Sequence, residues 1–307
     1  MTDIVHPHGY ARERFLAFRR RQKKAPQLAR QIVKARGLDF AVFTSPPVAG
    51  ATPLLCINGG LHFGHEVLWP ALAPLAENRQ LIFYDQRGRG KSQQPPGPRK
   101  ASIDHDAGDP PAIREVLGIE KWNVLGHSWG GGIAMLSTST DQHAVNRLVL
   151  VDAVGPTSEW LESLHASAIA RLTGEKHDAL AGLDPRNLYQ DDIGTHGAYA
   201  SALYPAWFFD REFGAIFSSP RATSQTGASV AARLRREGYD WTDRISSIRV
   251  PTLIVHGDGD LLDMRVPESI HGLIPESELS VIHHSGHMPF WEAPEEFFSA
   301  VEIFLSE

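Results

Sequence analysis

The sequence contains one cysteine, Cys56, which excludes an intrachain disulfide. No apolar run approaches the roughly 18 residues that a transmembrane helix needs. The first residues, "MTDIVHPHGY", also lack the apolar core of a secretory signal. A chain that folds without disulfides does not need an oxidising compartment, so we expect a cytoplasmic location. Because Cys56 lies in the apolar stretch "PLLCIN", we expect it to be a buried core thiol.

The composition is ordinary for a globular protein: 307 residues, of which 42% are hydrophobic and 21% charged. This length suits one large domain or one domain with a sizeable insertion. The charge is uneven, since residues 1–36 carry a net +8 and residues 37–307 carry −14. The basic run "FRRRQKK" could contact nucleic acid or an anionic membrane. No nucleic-acid motif accompanies it, so we expect it to lie on the acidic remainder of the chain.

Short apolar runs alternate with helical patterns along most of the chain. The predicted strands are 52–57, 80–85, 122–127, 147–152, 251–257 and 279–284, and the predicted helices are 65–77, 109–118, 131–141 and 265–272. Nearly continuous apolar strands linked by helices indicate an α/β fold, with a mostly parallel sheet covered by helices on both faces. Residues 31–45 predict a hairpin at the edge of the sheet.

The alternation stops between residues 155 and 241. This segment has helical spacing and an aromatic-rich centre at 204–217, most of whose rings we expect to form its own core. An insertion at the carboxyl ends of parallel strands lies where open α/β sheets bind ligands. We therefore expect residues 1–154 and 242–307 to form the catalytic domain and residues 155–241 a helical cap.

The stretch "GHSWGG", residues 126–131, follows a predicted strand and precedes a helix. It contains G-x-S-x-G, whose serine lies on a sharp turn with its hydroxyl exposed at the helix N-terminus. Glycine at the two flanking positions removes the steric clash that such a turn creates. A phosphate-binding loop needs a lysine after the glycines or G-x-G-x-x-G, and neither is present. Ser128 is therefore predicted to be a nucleophile.

A serine nucleophile needs a base, and the base needs an acid to orient it. In "IHHSGHMPFWEAPEEF" we predict His287 as the base, because it lies in a loop after the last strand. His283 and His284 lie at the strand end. The segment "LIVHGDGDLLD" offers three acids, of which we favour Asp260 over Asp258, a natural turn former, and Asp263.

Acyl transfer also needs N–H donors for the developing oxyanion. We predict the amides of Trp129, which follows the nucleophile, and Gly60, in the loop "INGGLHFGHE". In "YDQRGRGKS" we expect Asp85 and Arg87 to pair and hold their loop. The histidines of "HFGH" and "DHD" lack the spacing of known metal sites, so no metal and no other cofactor is expected.

Together these motifs resemble the α/β-hydrolase superfamily over nearly the whole chain. Trp129 after the serine, "DQRGRGKS" and "GHMPFWEAPEEF" are most similar to the proline iminopeptidase branch. The resemblance implies a cofactor-free enzyme that releases N-terminal proline, with acidic cap residues that hold the amino group of the substrate. The chain departs from the branch at "NGGLH", where Asn58, Leu61 and His62 replace residues of the usual H-G-G-P-G, so the substrate mouth is expected to differ.

The leading expectation is a serine hydrolase that removes an N-terminal, proline-type residue from peptides or aminoacyl amides through an acyl-enzyme. The alternative is a carboxylesterase for small or medium acyl esters. Candidate amine-binding acids are Glu66, Asp210, Glu212 and Glu237, each more naturally explained as a surface carboxylate. The expected partner is a small-molecule or short-peptide substrate and not nucleic acid, and the sequence is compatible with a homo-oligomer.

Overall fold

The computed structural model describes residues 10–97, 101–217, 219–221 and 223–306. Its centre is a sheet whose strands are β1 (Ala29–Ala35), β2 (Leu38–Thr44), β3 (Leu54–Ile57), β4 (Leu81–Tyr84), β5 (Trp122–His127), β6 (Val145–Val151), β7 (Thr252–Gly257) and β8 (Ser277–Ile282). They lie in the order β1-β2-β4-β3-β5-β6-β7-β8. The strands β3 to β8 are parallel, and β1 and β2 form an antiparallel hairpin at one edge. The predicted strands, the hairpin and the fold class are confirmed.

Helices precede, follow and separate these strands. They are α1 (Tyr10–Arg21), α2 (Ile103–Ala107), α3 (Asp109–Val116), α4 (Trp129–Thr140), α5 (Trp160–Arg171), α6 (Gly174–Ala181), α7 (Ile193–Leu203), α8 (Arg211–Ala215), α9 (Gln225–Glu237), α10 (Thr242–Ser246), α11 (Arg265–Leu273), α12 (Pro289–Glu292) and α13 (Pro294–Ser306). Over the described ranges, none of these helices is long and apolar enough to cross a membrane.

Two hydrophobic cores lie on the two faces of the sheet. Because side chains alternate along a strand, Val124 of β5 faces one core and Leu125 faces the other. Ile133 of α4 packs in the first core, and Phe297 of α13 packs in the second. Helices on both faces therefore leave only the strand ends open, and the site is built at their carboxyl edge.

The helix predicted over residues 65–77 is wrong. The chain there forms two short 3₁₀ helices, His65–Val67 and Ala73–Glu77, joined by turns. Pro70 and Pro74 lack the amide hydrogens that an α-helix through this segment requires. The apolar spacing survives because the turns still bury Leu68, Leu72 and Leu75 against the second core.

The segment between β6 and β7 leaves and rejoins the sheet at one place. Thr157 forms an isolated antiparallel bridge with Asp240, and the amide of Trp241 donates to the carbonyl of Pro156 at 2.8 Å. Helices α5 to α9 lie between these two points. Their own apolar cluster includes Leu164, Leu180, Leu188, Tyr199 and Leu203.

The aromatic centre of this segment does not form the segment's own core, contrary to expectation. Phe208 and Phe213 are buried in the second core of the sheet, where Phe208 stacks on Trp291 with ring centroids 6.2 Å apart. Trp207 stacks on His287 at 4.2 Å. The aromatic rings therefore attach the helical segment to the part that carries the candidate site.

The basic N-terminal run lies on the protein's own surface, as the sequence predicts. Phe18 of α1 stacks on Phe298 of α13, with centroids 5.3 Å apart and planes 3° from parallel. Arg21 pairs with Glu295, at the first turn of α13. Apolar stacking and surface ion pairs thus hold α1 against α13.

We expect Phe18→Ala to lower the free energy of unfolding by about 2 kcal/mol, since it removes a half-buried stacked ring. Arg21→Ala should lower it by less than about 1 kcal/mol, because exposed ion pairs contribute little. Urea denaturation at pH 7 measures both. Equal, negligible effects of the two changes would contradict the packing of α1 on α13.

Candidate active site

Ser128 lies on a strained turn between β5 and α4. Its backbone has φ 55° and ψ −122°, a region that residues other than glycine rarely adopt. A Cβ on Gly126 would lie 2.4 Å from the carbonyl oxygen of Gly130, and a Cβ on Gly130 would lie 2.2 Å from the carbonyl oxygen of Ile57. The Ser128 amide donates to the carbonyl of Val151 at 2.9 Å. The two glycines of "GHSWG" are therefore sterically required.

His287 and Asp260 form a buried hydrogen-bonded pair. The Nδ1 atom of His287 lies 2.7 Å from Oδ2 of Asp260. Burial acts to raise the pKa of Asp260, but the neighbouring His287, by charge and hydrogen bond, brings it below its ordinary value. The His287 amide donates to the carbonyl of Trp207 at 2.8 Å, which fixes the backbone of its loop. An ionised Asp260 can thus hold His287 with Nδ1 protonated and Nε2 free to accept a proton.

The other acids and histidines offered by the sequence lie elsewhere. Asp258 accepts a hydrogen bond from the amide of His284 at 2.8 Å and lies 2.8 Å from Nδ1 of His283, all near the surface. Asp263 pairs with the exposed Arg265 at 2.6 Å. The structure therefore brings Asp260, and not its neighbours, to His287.

Ser128 and His287 line the same cavity, whose volume is about 170 Å³. That is the scale of a cavity that holds a benzene-sized ligand. Most of its lining is apolar and includes Phe63, Leu164 and Trp207. Among the described residues, no hydrogen bond joins Ser128 Oγ to His287. Such bonds are often long without substrate and shorten when it binds.

The two candidate oxyanion donors face this cavity as well. Trp129 is the first residue of α4, so its amide has no acceptor within the helix. Gly60 has φ +73°, and a Cβ there would lie 2.2 Å from the ring of Phe63. A Cβ on Gly59 would lie 2.6 Å from Cβ of Ser128. The loop can approach the serine this closely only because it has glycine at these positions.

Side chains of the loop after β4 donate hydrogen bonds to backbone carbonyl groups of the loop that carries Gly60, here called the oxyanion loop. Gln86 Nε2 donates to the carbonyl of Asn58 at 2.8 Å, and Arg89 Nε donates to that of Leu61 at 3.1 Å. Arg89 is fully buried and forms two further bonds, of 2.9 and 3.0 Å, to the carboxylate of Asp106. These positioning residues were missed because the sequence alone gives no direction for their side chains.

The predicted pair between Asp85 and Arg87 is wrong. Asp85 Oδ1 lies 2.8 Å from the amide and 2.9 Å from Nδ1 of His65, and Oδ2 accepts the amide of Lys91 at 2.7 Å. Arg87 instead bonds Asp109 of α3, with Nε 2.8 Å from Oδ2. The two side chains leave the turn in different directions, so each holds a different neighbour.

Glu292 joins the loop that carries His287 to the helical segment. Its carboxylate accepts the amide of Gly286 at 2.7 Å and that of Asp210 at 2.9 Å. Burial raises the pKa of Glu292 to about 8, although these amide hydrogen bonds act to lower it. Glu292 lies in the stretch "WEAPEEF" after His287, and nothing in the sequence pattern indicated that its side chain is buried.

A second buried acid, Asp152, lies beside Asp260 at the end of β6. Its Oδ1 accepts the amide of Gly257 at 2.9 Å and lies 3.3 Å from Nδ1 of His256. Burial and the neighbouring Asp260 raise the pKa of Asp152 well above its ordinary value. Within this pair, proton binding is thus favoured at Asp152 and disfavoured at Asp260, which contacts His287.

Two groups of side chains have potential metal-ligating atoms within 4.8 Å of one another: His65, Glu66 and Asp85, and Asp152, His256 and Asp260. In both groups some of these atoms already form hydrogen bonds, as between His65 and Asp85 and between Asp260 and His287. We therefore assign neither group to a metal ion. The histidine pair of "HFGH" is divided, since His62 lines the cavity and His65 binds Asp85.

The four acids considered as amine ligands lie outside the lining of the cavity. Glu66 is exposed, Asp210 caps α8, Glu212 is exposed on that helix, and Glu237 lies 3.8 Å from Arg233. Among the described residues that line the cavity, none is Asp or Glu. Its ionisable groups besides His287 and His127 include Arg235, His62 and His196.

Known proteins resemble the chain in both sequence and structure. The family model described as alpha/beta hydrolase fold matches residues 52–294. A proline iminopeptidase of Lactobacillus crispatus (strain ST1) is 27% identical over 270 residues, which are 83% of this chain and 90% of that protein. This relative confirms the resemblance to the proline iminopeptidase branch.

Two solved structures share the fold at lower identity. The crystal structure of VinJ has a TM-score of 0.72 at 20% identity, with coverage of 92% of this chain and 99% of that one. An esterase (EaEST) from Exiguobacterium antarcticum has a TM-score of 0.69 at 20% identity, with coverage of 90% and 99%. Since the family model spans most of the sequence, and the turn of Ser128 and the order of strands agree with it, the chain belongs to the α/β-hydrolase family.

Proposed function

We propose that the chain is a serine hydrolase that cleaves esters or amides of small or medium acyl groups through an acyl-enzyme on Ser128. One observation carries the proposal. Ser128, on its strained turn, faces the same apolar cavity as His287, which is hydrogen-bonded to the buried Asp260.

In the first step, His287 Nε2 takes the proton of Ser128 as Oγ attacks the carbonyl carbon of the substrate. The amides of Trp129 and Gly60 donate to the carbonyl oxygen as it becomes negative. His287 then gives the proton to the leaving group as its bond to carbon breaks. Water, deprotonated by His287, attacks the acyl-enzyme in the second step, which releases the acid and restores the serine.

Asp260 stabilises the positive charge that forms on His287 during both steps. The neighbouring Asp152 supports this role, because the pKa of Asp152 is raised and that of Asp260 is lowered, which favours the negative charge on the residue that contacts the histidine. His127 is buried and its pKa is lowered by burial to about 3, so it stays neutral and does not compete as a charged group. We propose that the chemistry depends on the single base His287.

We further propose that residues 155–241 form a cap over the catalytic domain made of 1–154 and 242–307. The cavity wall supports this division, since Leu164 of α5, Leu203 of α7 and Leu234 of α9 face the cavity that Ser128 lines. Apolar side chains from the cap exclude water from the acyl group. They thus favour an uncharged acyl chain next to the scissile bond.

A second candidate is an exopeptidase that reads the free amine of its substrate, as the names of the relatives suggest. A buried ammonium needs carboxylate partners, because an unpaired charge out of water costs several kcal/mol. The absence of Asp and Glu from the described lining of the cavity supports the acyl hydrolase over the exopeptidase.

We expect Ser128→Ala to lower kcat for 4-nitrophenyl butyrate by at least about 10³-fold and to leave the fold intact. Ser139→Ala is the matched control, because Ser139 lies on α4 and, within the described structure, its hydroxyl bonds only the carbonyl of Leu136. It should stay within about twofold of the wild type. Full activity of a folded Ser128→Ala variant contradicts the assignment.

We expect Asp260→Asn to lower kcat by about 10³-fold or more, because an amide cannot stabilise the His287 cation. Asp258→Asn should change it by less than about threefold, since Asp258 bonds only His283 and His284 in the described structure. Steady-state kinetics with circular dichroism as a folding control measure both. A larger loss of kcat in Asp258→Asn than in Asp260→Asn would show that Asp260 is not the acid.

The amine requirement separates the two candidate functions. We expect a prolyl arylamide to be cleaved at least about 10-fold more slowly, in kcat/KM, than its N-acetylated form, since the cavity offers the ammonium no carboxylate. Hydrolysis of both arylamides is followed by release of the arylamine. A strong preference for the free amine would favour the exopeptidase.

A further inference from the structure

An arginine without a carboxylate partner lies in the wall of the candidate site. Arg235, on α9, lines the same cavity as Ser128 and His287. Its guanidinium carbon lies 5.8 Å from the ring centroid of Tyr199. Within the described part of the chain, Arg235 forms no ion pair and no hydrogen bond.

The two neighbouring arginines of α9 both have polar partners. Arg233 lies 3.8 Å from the carboxylate of Glu237, and Arg236 donates to the carbonyl of Tyr189. Arg235 is half-buried, and burial lowers its pKa, an effect that only the hydroxyls of nearby tyrosines oppose. A half-buried guanidinium that has no carboxylate partner among the described residues can bind a negative charge of a ligand that enters the cavity.

Among the described residues of the cavity, no side chain supplies a negative charge that could pair with Arg235. Burial lowers the pKa of His62 to about 3 and also lowers that of His196, so both rings are neutral near pH 7. The Tyr199 hydroxyl lies 3.2 Å from Nδ1 of His165, and burial raises the pKa of Tyr199. The described lining contains no Asp or Glu. The described lining of the cavity thus combines an apolar surface with the positive charge of Arg235.

We propose that Arg235 binds a carboxylate of the substrate, and that the enzyme hydrolyses esters or amides carrying a negative charge away from the scissile bond. This inference rests on the proposed serine hydrolase and names its substrate class. A planar guanidinium can donate two parallel hydrogen bonds to a carboxylate, which gives strength and orientation. A cavity of about 170 Å³ limits the substrate to a short chain between ester and carboxylate.

Two pairs of esters of equal size test the proposal. In the first, the carboxylate lies on the acyl side: phenyl hydrogen adipate against the phenyl ester whose far end is a carboxamide. In the second, it lies on the alcohol side: 4-carboxyphenyl butyrate against 4-carbamoylphenyl butyrate. The measured quantity is the ratio of kcat/KM for carboxylate over carboxamide, with the Ser128→Ala protein as the blank.

In the wild type we expect a ratio of at least about 10 in one of the two pairs. This is the effect on kcat/KM that one charge-assisted hydrogen bond produces. Arg235→Met, which keeps the aliphatic stem, should lower that ratio at least 10-fold. Arg235→Lys should retain part of it, because it keeps the charge and loses the fork. Arg233→Met is the matched control on the same helix and should leave the ratio within about twofold.

Two further readouts separate substrate binding from a structural role or a histidine. Arg235→Met should melt at or above the wild-type temperature, because it removes an unpaired charge, whereas loss of a structural ion pair lowers it. The wild-type ratio should stay constant from pH 6 to 8. If a protonated His62, His165 or His196 bound the anion, the ratio would fall as pH rises, because the imidazolium loses its charge.

A wild-type ratio at or below 1 in both pairs, with Ser128-dependent hydrolysis of the carboxamides, overturns the inference and leaves the proposed function standing. A high ratio that Arg235→Met leaves unchanged overturns the role of Arg235. No Ser128-dependent turnover of any of the four esters overturns the proposed function and the inference with it.

Discussion

The site depends on one strained turn, in which Ser128 is held at positive φ between the end of β5 and the start of α4. Such a conformation persists only when its surroundings fix it. Here the backbone of the adjacent strands fixes the turn. Gly130 packs closely against the carbonyl group of Ile57, and the Ser128 amide donates to the carbonyl group of Val151. The parallel sheet thus provides the rigid support that a single loop could not.

The same constraint sets the position of the neighbouring loops. Gly59 allows the oxyanion loop to contact Ser128. Gln86 and Arg89 hold that loop in place by hydrogen bonds to its carbonyl groups. On the other side, Glu292 joins the loop of His287 to the helical segment between β6 and β7. Buried polar groups of this kind destabilise a fold unless they are paired. Arg89 and Glu292 are paired within the described structure, and Arg235 is the contrasting case.

The sequence predicted the strands and the Ser128 turn, because both follow from local spacing and strand order. Asp260 and His287, predicted from the same order, are hydrogen-bonded in the structure, and their catalytic roles stay a prediction. It failed where the outcome depended on the direction of a side chain. Asp85 and Arg87 are two residues apart, yet they bind different elements. The position of Arg235 had no signal in the sequence, since an arginine on a surface helix normally faces solvent. The structure places it in the wall of the cavity, which is the observation behind the proposed role.

The most direct test of the central claim, covalent catalysis by Ser128, is mass spectrometry of the protein quenched in acid during turnover of 4-nitrophenyl butyrate. The claim predicts a mass increase of one butyryl group, located by peptide mapping to the peptide with Ser128. The increase should be absent from Ser128→Ala. A butyryl group on another residue, or turnover that persists in Ser128→Ala, would contradict it.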